Sequence, residues 1–115
     1  MAENQTQNLG GTDSGIKPNV AALLAYLLGF ITGLVFLLIE KNNKFVRFHA
    51  MQSIIVFGAI FVLQWVVSLV PLFGILVSGL LSLLAVVLWV VLMVKAYQGE
   101  KYKLPWVGDI AEKNS

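Results

Sequence analysis

The sequence predicts an all-α integral membrane protein with three transmembrane helices, a disordered N-terminal tail and a short polar C-terminal tail. Of the 115 residues, 58% are hydrophobic and only 12% are charged, with a mean hydropathy of +0.83. That leaves too few charges to cover the surface of a soluble domain of this size. No Asp, Glu, Lys or Arg occurs within residues 20–39 or residues 50–94. A bilayer core about 30 Å thick needs roughly 20 apolar residues of helix, so the first stretch can form one span and the second can form two.

The N-terminal tail, residues 1–19, consists mostly of Asn, Gln, Gly, Ser and Thr. Such a composition buries too little apolar surface to offset the entropy of ordering, so we predict a disordered segment. Pro18 and Asn19 then introduce the first helix, predicted over residues 20–39. Its apolar run is too long for the h-region of a cleaved signal peptide, and no clear small-x-small site follows it. A retained span is therefore predicted.

The second charge-free stretch is divided by a turn. The second helix is predicted over about residues 46–70 and the third over about residues 75–97, because Pro71 lacks a backbone N–H and Gly74 tolerates unusual torsions. We expect helices rather than strands, since a single helix satisfies its own backbone hydrogen bonds in lipid. Residues 98–115 complete the chain as a polar C-terminal tail.

The distribution of basic residues predicts the orientation. Three spans would place the N-terminal tail on one side, and the loop at residues 40–49 with the C-terminal tail on the other. The first side carries Lys17 alone. The second carries seven basic residues, namely Lys41, Lys44, Arg47, Lys95, Lys101, Lys103 and Lys113. Since basic residues stay on the cytoplasmic side, we predict a multi-pass cell-membrane protein with its N-terminus outside and its C-terminus in the cytoplasm. The alternative is that Gly29 and Gly33 break the first helix into a re-entrant pair, leaving both termini inside.

Small residues recur at four-residue spacing on two of the predicted helices. Helix backbones in lipid approach closely where such residues line up. The residues are Ala21, Ala25, Gly29 and Gly33 in the first helix and Gly74, Ser78 and Ser82 in the third. They predict either packing of the first helix on the third within one chain, or an interface with a second copy or another membrane protein.

The second helix carries a polar stripe. At about 100° per residue, its members fall within about 100° of arc; they are His49, Ser53, Gln64 and Ser68. Polar groups in lipid usually face other helices, so the stripe predicts interhelical hydrogen bonds, and the alternative is the lining of a polar path. His49 has no Cys, Asp or second His nearby to complete a metal site. We interpret it as a structural residue at the membrane interface.

The densest polar stretch, residues 40–53, marks where the second helix enters the membrane. Its key residues are Lys44, Phe45, Arg47, Phe48, His49 and Gln52. Basic side chains here are expected to bind anionic lipid headgroups, at about 1 kcal/mol each, while the phenylalanines dip into the apolar layer. No Walker loop, GxGxxG, GxSxG, HExxH or CxxC motif and no cysteine occurs. We therefore predict no catalytic, cofactor-binding or metal site, and no nucleic-acid partner, because the basic residues form no compact face.

Two motifs support a family resemblance. FVRFHAMQS at residues 45–53, preceded by EKNNK, and YKLPWVGDIAEK at residues 102–113 resemble a family of small uncharacterised prokaryotic membrane proteins. That family is similar to the chloroplast inner-envelope import component, Tic-twenty-like. The resemblance covers about residues 21–113. It implies a multi-pass helical membrane protein in which Phe45, Arg47, Phe48, His49 and Gln52 do more than contact lipid.

Together these features predict a non-enzymatic subunit or scaffold that acts through helix–helix contacts, linked to protein translocation or membrane assembly. The alternative is a homo-oligomeric pore lined by Ser53, Gln64 and Ser68. The expected partners are the lipid bilayer, anionic headgroups at the basic loop, and either further copies of the chain or another membrane protein.

Overall fold

The computed structural model describes residues 10–115, and helices account for most of this range. The helices are α1 (Pro18–Leu27), α2 (Phe30–Ile39), α3 (Lys44–Val67), α4 (Phe73–Tyr97) and α5 (Val107–Asn114). The all-helical class predicted from the sequence is confirmed for this part of the chain. The predicted disorder of residues 1–9 lies outside the described residues.

The two long helices, α3 and α4, form an antiparallel hairpin joined by a turn at residues 68–72. The Asn43 side chain caps the start of α3 by accepting a hydrogen bond from the Val46 amide at 3.0 Å. A Cβ atom on Gly74 would overlap the Val67 carbonyl oxygen, so the helices close tightly at the turn. Both helices are long and apolar enough to cross a membrane, since 24 residues extend about 36 Å.

The prediction of a continuous first helix over residues 20–39 is wrong, because the helix is interrupted at Leu28 and Gly29. Gly29 adopts a φ of +65°, a left-handed conformation that favours glycine. The Thr32 hydroxyl accepts from the Leu28 amide at 3.0 Å and donates to the Ala25 carbonyl at 3.2 Å. This side chain replaces backbone hydrogen bonds that the break removes. Each piece has ten residues and is about 15 Å long, half the hydrocarbon thickness.

The two short helices, α1 and α2, form a second hairpin that returns to the end where it began. The Asn19 side chain, at the start of α1, donates to the Tyr97 carbonyl at the end of α4 (2.9 Å). Near the start of α3, Arg47 donates to the carbonyl of Leu37, close to the end of α2 (2.8 Å). The broken helix and its hairpin have the geometry of the re-entrant pair that was the alternative from sequence. Twenty residues cannot cross twice, but they can reach halfway and return.

The segment before α1 is held at this same end of the molecule. The Glu40 carboxylate accepts hydrogen bonds from the amides of Asp13 (2.6 Å) and Ser14 (3.1 Å), and the Asp13 carboxylate accepts from the Lys41 amide (2.8 Å). The predicted disorder of the tail is therefore wrong for residues 10–19. The N-terminal and C-terminal segments of the described residues lie at the same end of the molecule, which differs from the predicted placement on opposite sides of a membrane.

The C-terminal segment, predicted as a polar tail, folds back and contains α5, which packs on α3. Glu112 of α5 pairs with Lys101 at 3.1 Å and also with Lys103. Gly108 permits the close approach, because a Cβ atom there would overlap Lys103. These contacts keep residues 98–115 against the start of α3.

The two ends of the molecule differ in charge and in thickness. The charged end, residues 10–19, 37–49 and 95–115, holds all eight basic residues of the chain. There α1 packs against α2, α3 and α4, and α2 packs on α3. The tip, residues 62–84, is formed by α3 and α4 alone and contains no Asp, Glu, Lys or Arg. Large apolar side chains are exposed at the tip, including Trp65, Leu69 and Ile75.

Candidate functional site

A buried polar cluster lies just inside the charged end. It consists of Tyr26 on α1 and of His49 and Gln52 on α3, and all three are fully buried. Sequence reasoning identified His49 and Gln52 but not Tyr26. The available signal was that Tyr26 is the one tyrosine in the apolar run of residues 20–39.

A directional chain of hydrogen bonds connects the polar cluster. His49 Nε2 lies 2.8 Å from the Glu100 carbonyl oxygen. A carbonyl oxygen can only accept, so Nε2 carries the proton and Nδ1 accepts from the Tyr26 hydroxyl at 2.7 Å. The Gln52 amide donates to the Tyr26 oxygen and to the Tyr102 carbonyl, each at 2.9 Å. Its own oxygen accepts from the Leu104 amide at 3.1 Å.

The polar groups of the cluster bond one another and join helices, and none is left free for a ligand. Both ring nitrogens of His49 are engaged, so neither presents a free lone pair to a metal ion or a substrate proton. Three aromatic rings pack edge-on around the imidazole, with centroid distances of 4.7 Å for Phe45, 5.0 Å for Phe48 and 5.4 Å for Tyr26. The cluster ties α1, α3 and the segment after α4 to one another.

A second set of bonds, from side chains of α3 and α4, reaches the carbonyls at the break between α1 and α2. The last carbonyls of a helix lack partners within it, and lipid supplies none. Ser53 of α3 donates to the Gly29 carbonyl at 2.8 Å. The Trp89 indole of α4 donates to the carbonyl of Tyr26 at 2.8 Å and to that of Leu27 at 3.2 Å. Sequence reasoning missed Trp89 and Thr32, because their roles exist only once the helix is broken.

The small residues predicted as one ridge contact different helices. Ala21 and Ala25 are fully buried on α1, which packs against both α3 and α4. Gly33 faces α3 instead, where a Cβ atom would lie 2.9 Å from the Ala50 oxygen and 3.1 Å from the Ser53 Cβ. The predicted packing of the first helix on the third alone does not describe Gly33, because the break redirects the chain after Gly29.

The outer part of the polar stripe joins α3 to α4. Gln64 donates to the Ser82 hydroxyl at 2.8 Å and accepts from the Ser78 hydroxyl at 2.6 Å. The structure thus brings Ser78 and Ser82 of the small-residue set together with Gln64 of the polar stripe. Ser68 bonds only within its own helix, to the Trp65 carbonyl at 2.6 Å.

Arg47 and the phenylalanines are placed differently from the expectation for a lipid anchor. Arg47 donates to the carbonyls of Leu37 (2.8 Å) and Glu40 (3.1 Å), and so caps the C-terminal end of α2. Phe45 and Phe48 are buried in the protein, so the prediction that they dip into lipid is wrong. The reason is that other segments cover this end of α3. Lys41 and Lys44 are exposed.

Charged groups at the surface hold the segments that precede α1 and follow α4 in place through hydrogen bonds and ion pairs. Hydrogen bonds from Lys103 and then Lys101 hold the pKa of Glu112 below its ordinary value of 4.5, and the same Lys103–Glu112 bond raises the pKa of Lys103 above 10.5. The Lys41 amide and the Asn42 side chain lower the pKa of Asp13 below 3.8. All three groups are therefore charged at neutral pH. Within residues 10–115, no three His, Cys, Asp or Glu side chains group together as metal ligands would.

Comparison with known proteins agrees with a membrane location. The chain is 50% identical over 107 residues to a "UPF0132 membrane protein" of Methanocaldococcus jannaschii, covering 93% of this chain and 96% of that protein. It is 51% identical over 98 residues to a "UPF0132 membrane protein" of Archaeoglobus fulgidus, covering 85% of this chain and 95% of that protein. No solved structure matches the chain. The relatives confirm the predicted membership of a family of small prokaryotic membrane proteins. A family model, MamF_MmsF, described as "Magnetosome magnetite crystal formation protein family", matches residues 17–111, and the chain belongs to this family.

Proposed function

We propose that the protein is a non-enzymatic scaffold of the cell membrane, inserted as two helical hairpins from the cytoplasmic side. The observation that carries this proposal is the saturation of its buried polar groups. Among the described residues, Asn19 Oδ1 is the one buried side-chain nitrogen or oxygen atom without a hydrogen-bond partner. Catalysis needs free polar groups that converge on a substrate. Here they converge on one another and fix the helices.

The charged end supports a cytoplasmic position for both termini. All eight basic residues lie at that end, and basic residues are retained on the cytoplasmic side of membrane proteins. In this proposal the chain crosses the bilayer twice, through α3 and α4, while α1 and α2 enter halfway and return. The exposed Lys41 and Lys44 would then contact anionic headgroups, whereas Arg47 is occupied by the carbonyls of α2.

The surface available to a membrane partner is the outward side of α3 and α4. Gly33 is not available, because α3 covers it. Trp65 and Leu83 are exposed on helices long enough to cross a membrane. In the proposed insertion they would face neighbouring helices, which associate in lipid by packing. The partner is either a second copy of the chain or another membrane protein.

The process that such a scaffold serves is a further part of the proposal. A link to protein translocation or membrane assembly, and the similarity to the chloroplast import component, have their support in the motifs at residues 45–53 and 102–113. The family description refers to magnetite crystal formation. The scaffold proposal itself depends on the contacts between the helices and not on either of these processes.

The pore alternative receives less support from the geometry. Gln64 and Ser53 are bonded within the chain, to Ser78 and Ser82 and to the Gly29 carbonyl respectively. A conducting path along this stripe would require those bonds to break and to be replaced by water.

Site-specific photo-cross-linking tests the scaffold proposal. A photoreactive amino acid is placed at Leu83, which is 63% exposed, and as a matched control at Leu92, which is fully buried. We expect the Leu83 variant to give one defined protein adduct in native membranes, identified by mass as a second copy or another protein. The Leu92 variant should give none. If Leu83 yields only lipid adducts and mild-detergent extraction recovers only the monomer, the scaffold proposal is wrong.

A further inference from the structure

The protein occupies unequal areas in the two halves of the bilayer. The α1–α2 hairpin turns at the level of Ser53 and Phe57 of α3, where Ser53 bonds the Gly29 carbonyl and a Cβ atom on Gly29 would lie 3.3 Å from the Phe57 Cβ. From this turn the Phe30 ring extends to Phe61, with ring centroids 5.4 Å apart. Beyond that level, α3 and α4 continue alone to the turn at residues 68–72. The half nearer the charged end therefore contains four helices, and the half nearer the tip contains two.

The difference in area is substantial for a protein of this size. A helix with its side chains is about 10–12 Å across, so each adds roughly 100 Å² of cross-section and the two extra helices add about 200 Å². The shape is a wedge with its broad side at the charged end.

The broad side is held rigidly. Gly33 allows α2 to pack directly on α3, because a Cβ atom there would lie 2.9 Å from the Ala50 oxygen. Ser53 bonds the Gly29 carbonyl at the turn of the hairpin. On the opposite flank, the Trp89 indole fastens α1 to α4. Close packing and hydrogen bonds on both flanks make the added area a fixed property of the fold.

The charged residues determine how deep the wedge-shaped molecule sits in the bilayer. Because all charged residues of the described chain lie at the charged end, that end stays at the headgroup level and the short hairpin must lie in the adjoining leaflet. Trp106 is 83% exposed at this end, as is typical of aromatic residues at a membrane interface. In the described part of the chain, no helix besides α3 and α4 reaches the tip. The turn there, residues 68–72, carries no charge.

From this asymmetry we infer that the protein recognises bilayer curvature, and that its preferred partner is a lipid surface that is convex on the side of the charged end. The leaflet on the convex side has the larger area, so a body that is wider in that leaflet fits it with less strain. The inference rests on the proposed two-hairpin insertion and adds to it a class of membrane, one curved toward the cytoplasm.

Sorting between flat and tubular membrane tests the inference. The natural chain has no cysteine, so a full-length Lys113→Cys variant can be labelled with a fluorophore at that position alone. The labelled protein is placed in giant vesicles of phosphatidylcholine and phosphatidylglycerol. A narrow tube is pulled from each vesicle, and the protein signal in the tube is divided by that of a lipid dye. An impermeant quencher reports the fraction of molecules whose charged end faces outward.

We expect molecules with the charged end outward to be enriched in the tube by roughly twofold, a preference of about 0.4 kcal/mol. Molecules with the charged end inward should be depleted. The reversed orientation is a matched control, since sequence, fold and label are identical. The same protein labelled at Leu69→Cys, in the exposed turn, must give the same ratios if the label has no effect.

Equal densities in tube and vesicle for both orientations would overturn the inference. The proposed insertion would then still stand if cysteines at Gly11 and Lys113 react from the same side. If those two positions react from opposite sides, both the insertion and the curvature preference fail.

Discussion

Replacing Tyr26 by Phe removes a single oxygen atom from the centre of the polar cluster. The ring is fully buried on α1, and its hydroxyl donates to His49 Nδ1 and accepts from the Gln52 amide. The Phe variant keeps the apolar contacts of the ring. It leaves the imidazole nitrogen without a donor and one Gln52 N–H without an acceptor.

The expected cost follows from these two orphaned groups. A buried polar group left unpaired costs about 1–3 kcal/mol, but interhelical hydrogen bonds in membranes average about 0.6 kcal/mol and reach about 1.7. Two such groups therefore predict a destabilisation of about 1–3 kcal/mol for Tyr26→Phe. Gln52 retains its bonds to Tyr102 and Leu104, which limits the loss.

Unfolding by sodium dodecyl sulphate, titrated into protein in mild-detergent micelles, measures this difference. Trp89 is a suitable fluorescent reporter, because its indole bonds the backbone carbonyl of Tyr26. The matched control is Tyr97→Phe, the same chemical change at a side chain that is 52% exposed. It should change stability by less than about 0.5 kcal/mol.

Two results would refute this reasoning. Equal shifts in the two variants would mean that the Tyr26 hydroxyl is not sealed from water. No shift in either variant would mean that His49 and Gln52 find other partners at no cost, and the polar cluster would then not clamp α1 to α3.

Two further predictions concern the helix packing and the topology. Gly33→Ala should destabilise the protein by about 1–3 kcal/mol, because the new Cβ would crowd the Ala50 oxygen; Gly58→Ala, whose Cβ meets open space, should be neutral or slightly stabilising in the same titration, and equal losses would contradict the packing. An impermeant thiol reagent applied to intact cells should label Leu69→Cys but not Gly11→Cys or Lys113→Cys, which should react only after permeabilisation. Labelling of Gly11→Cys in intact cells would instead support three crossings.

The helical class and the two long helices could be predicted from the sequence, because both depend on local properties. The absence of charge over residues 50–94 and the turn residues Pro71 and Gly74 specify α3 and α4 without knowledge of the rest of the chain. The position of the polar stripe was likewise readable from helical periodicity. Its partners were not, since they depend on which helices become neighbours.

The break at Gly29 could not be predicted from the length and composition of residues 20–39, which suit a span. Breaking a helix in lipid exposes carbonyls, and here Thr32, Ser53 and Trp89 supply side-chain donors to the carbonyls at the break. Those partners lie far along the chain. The same limit applies to Phe45 and Phe48, whose spacing is typical of an interfacial turn but which other segments cover.

The uncharged turn at residues 68–72 has a consequence for biogenesis. A polypeptide that inserts into a membrane must carry every residue of its far side through the hydrocarbon, and each Asp, Lys or Arg at the bilayer centre costs about 2.5–3.5 kcal/mol. In the proposed insertion, the part of the described chain that passes through is a short apolar turn with Ser68 as its polar side chain. In that insertion the hairpin of α3 and α4 enters as one unit, and the described segments that flank it remain on the side where the ribosome made them.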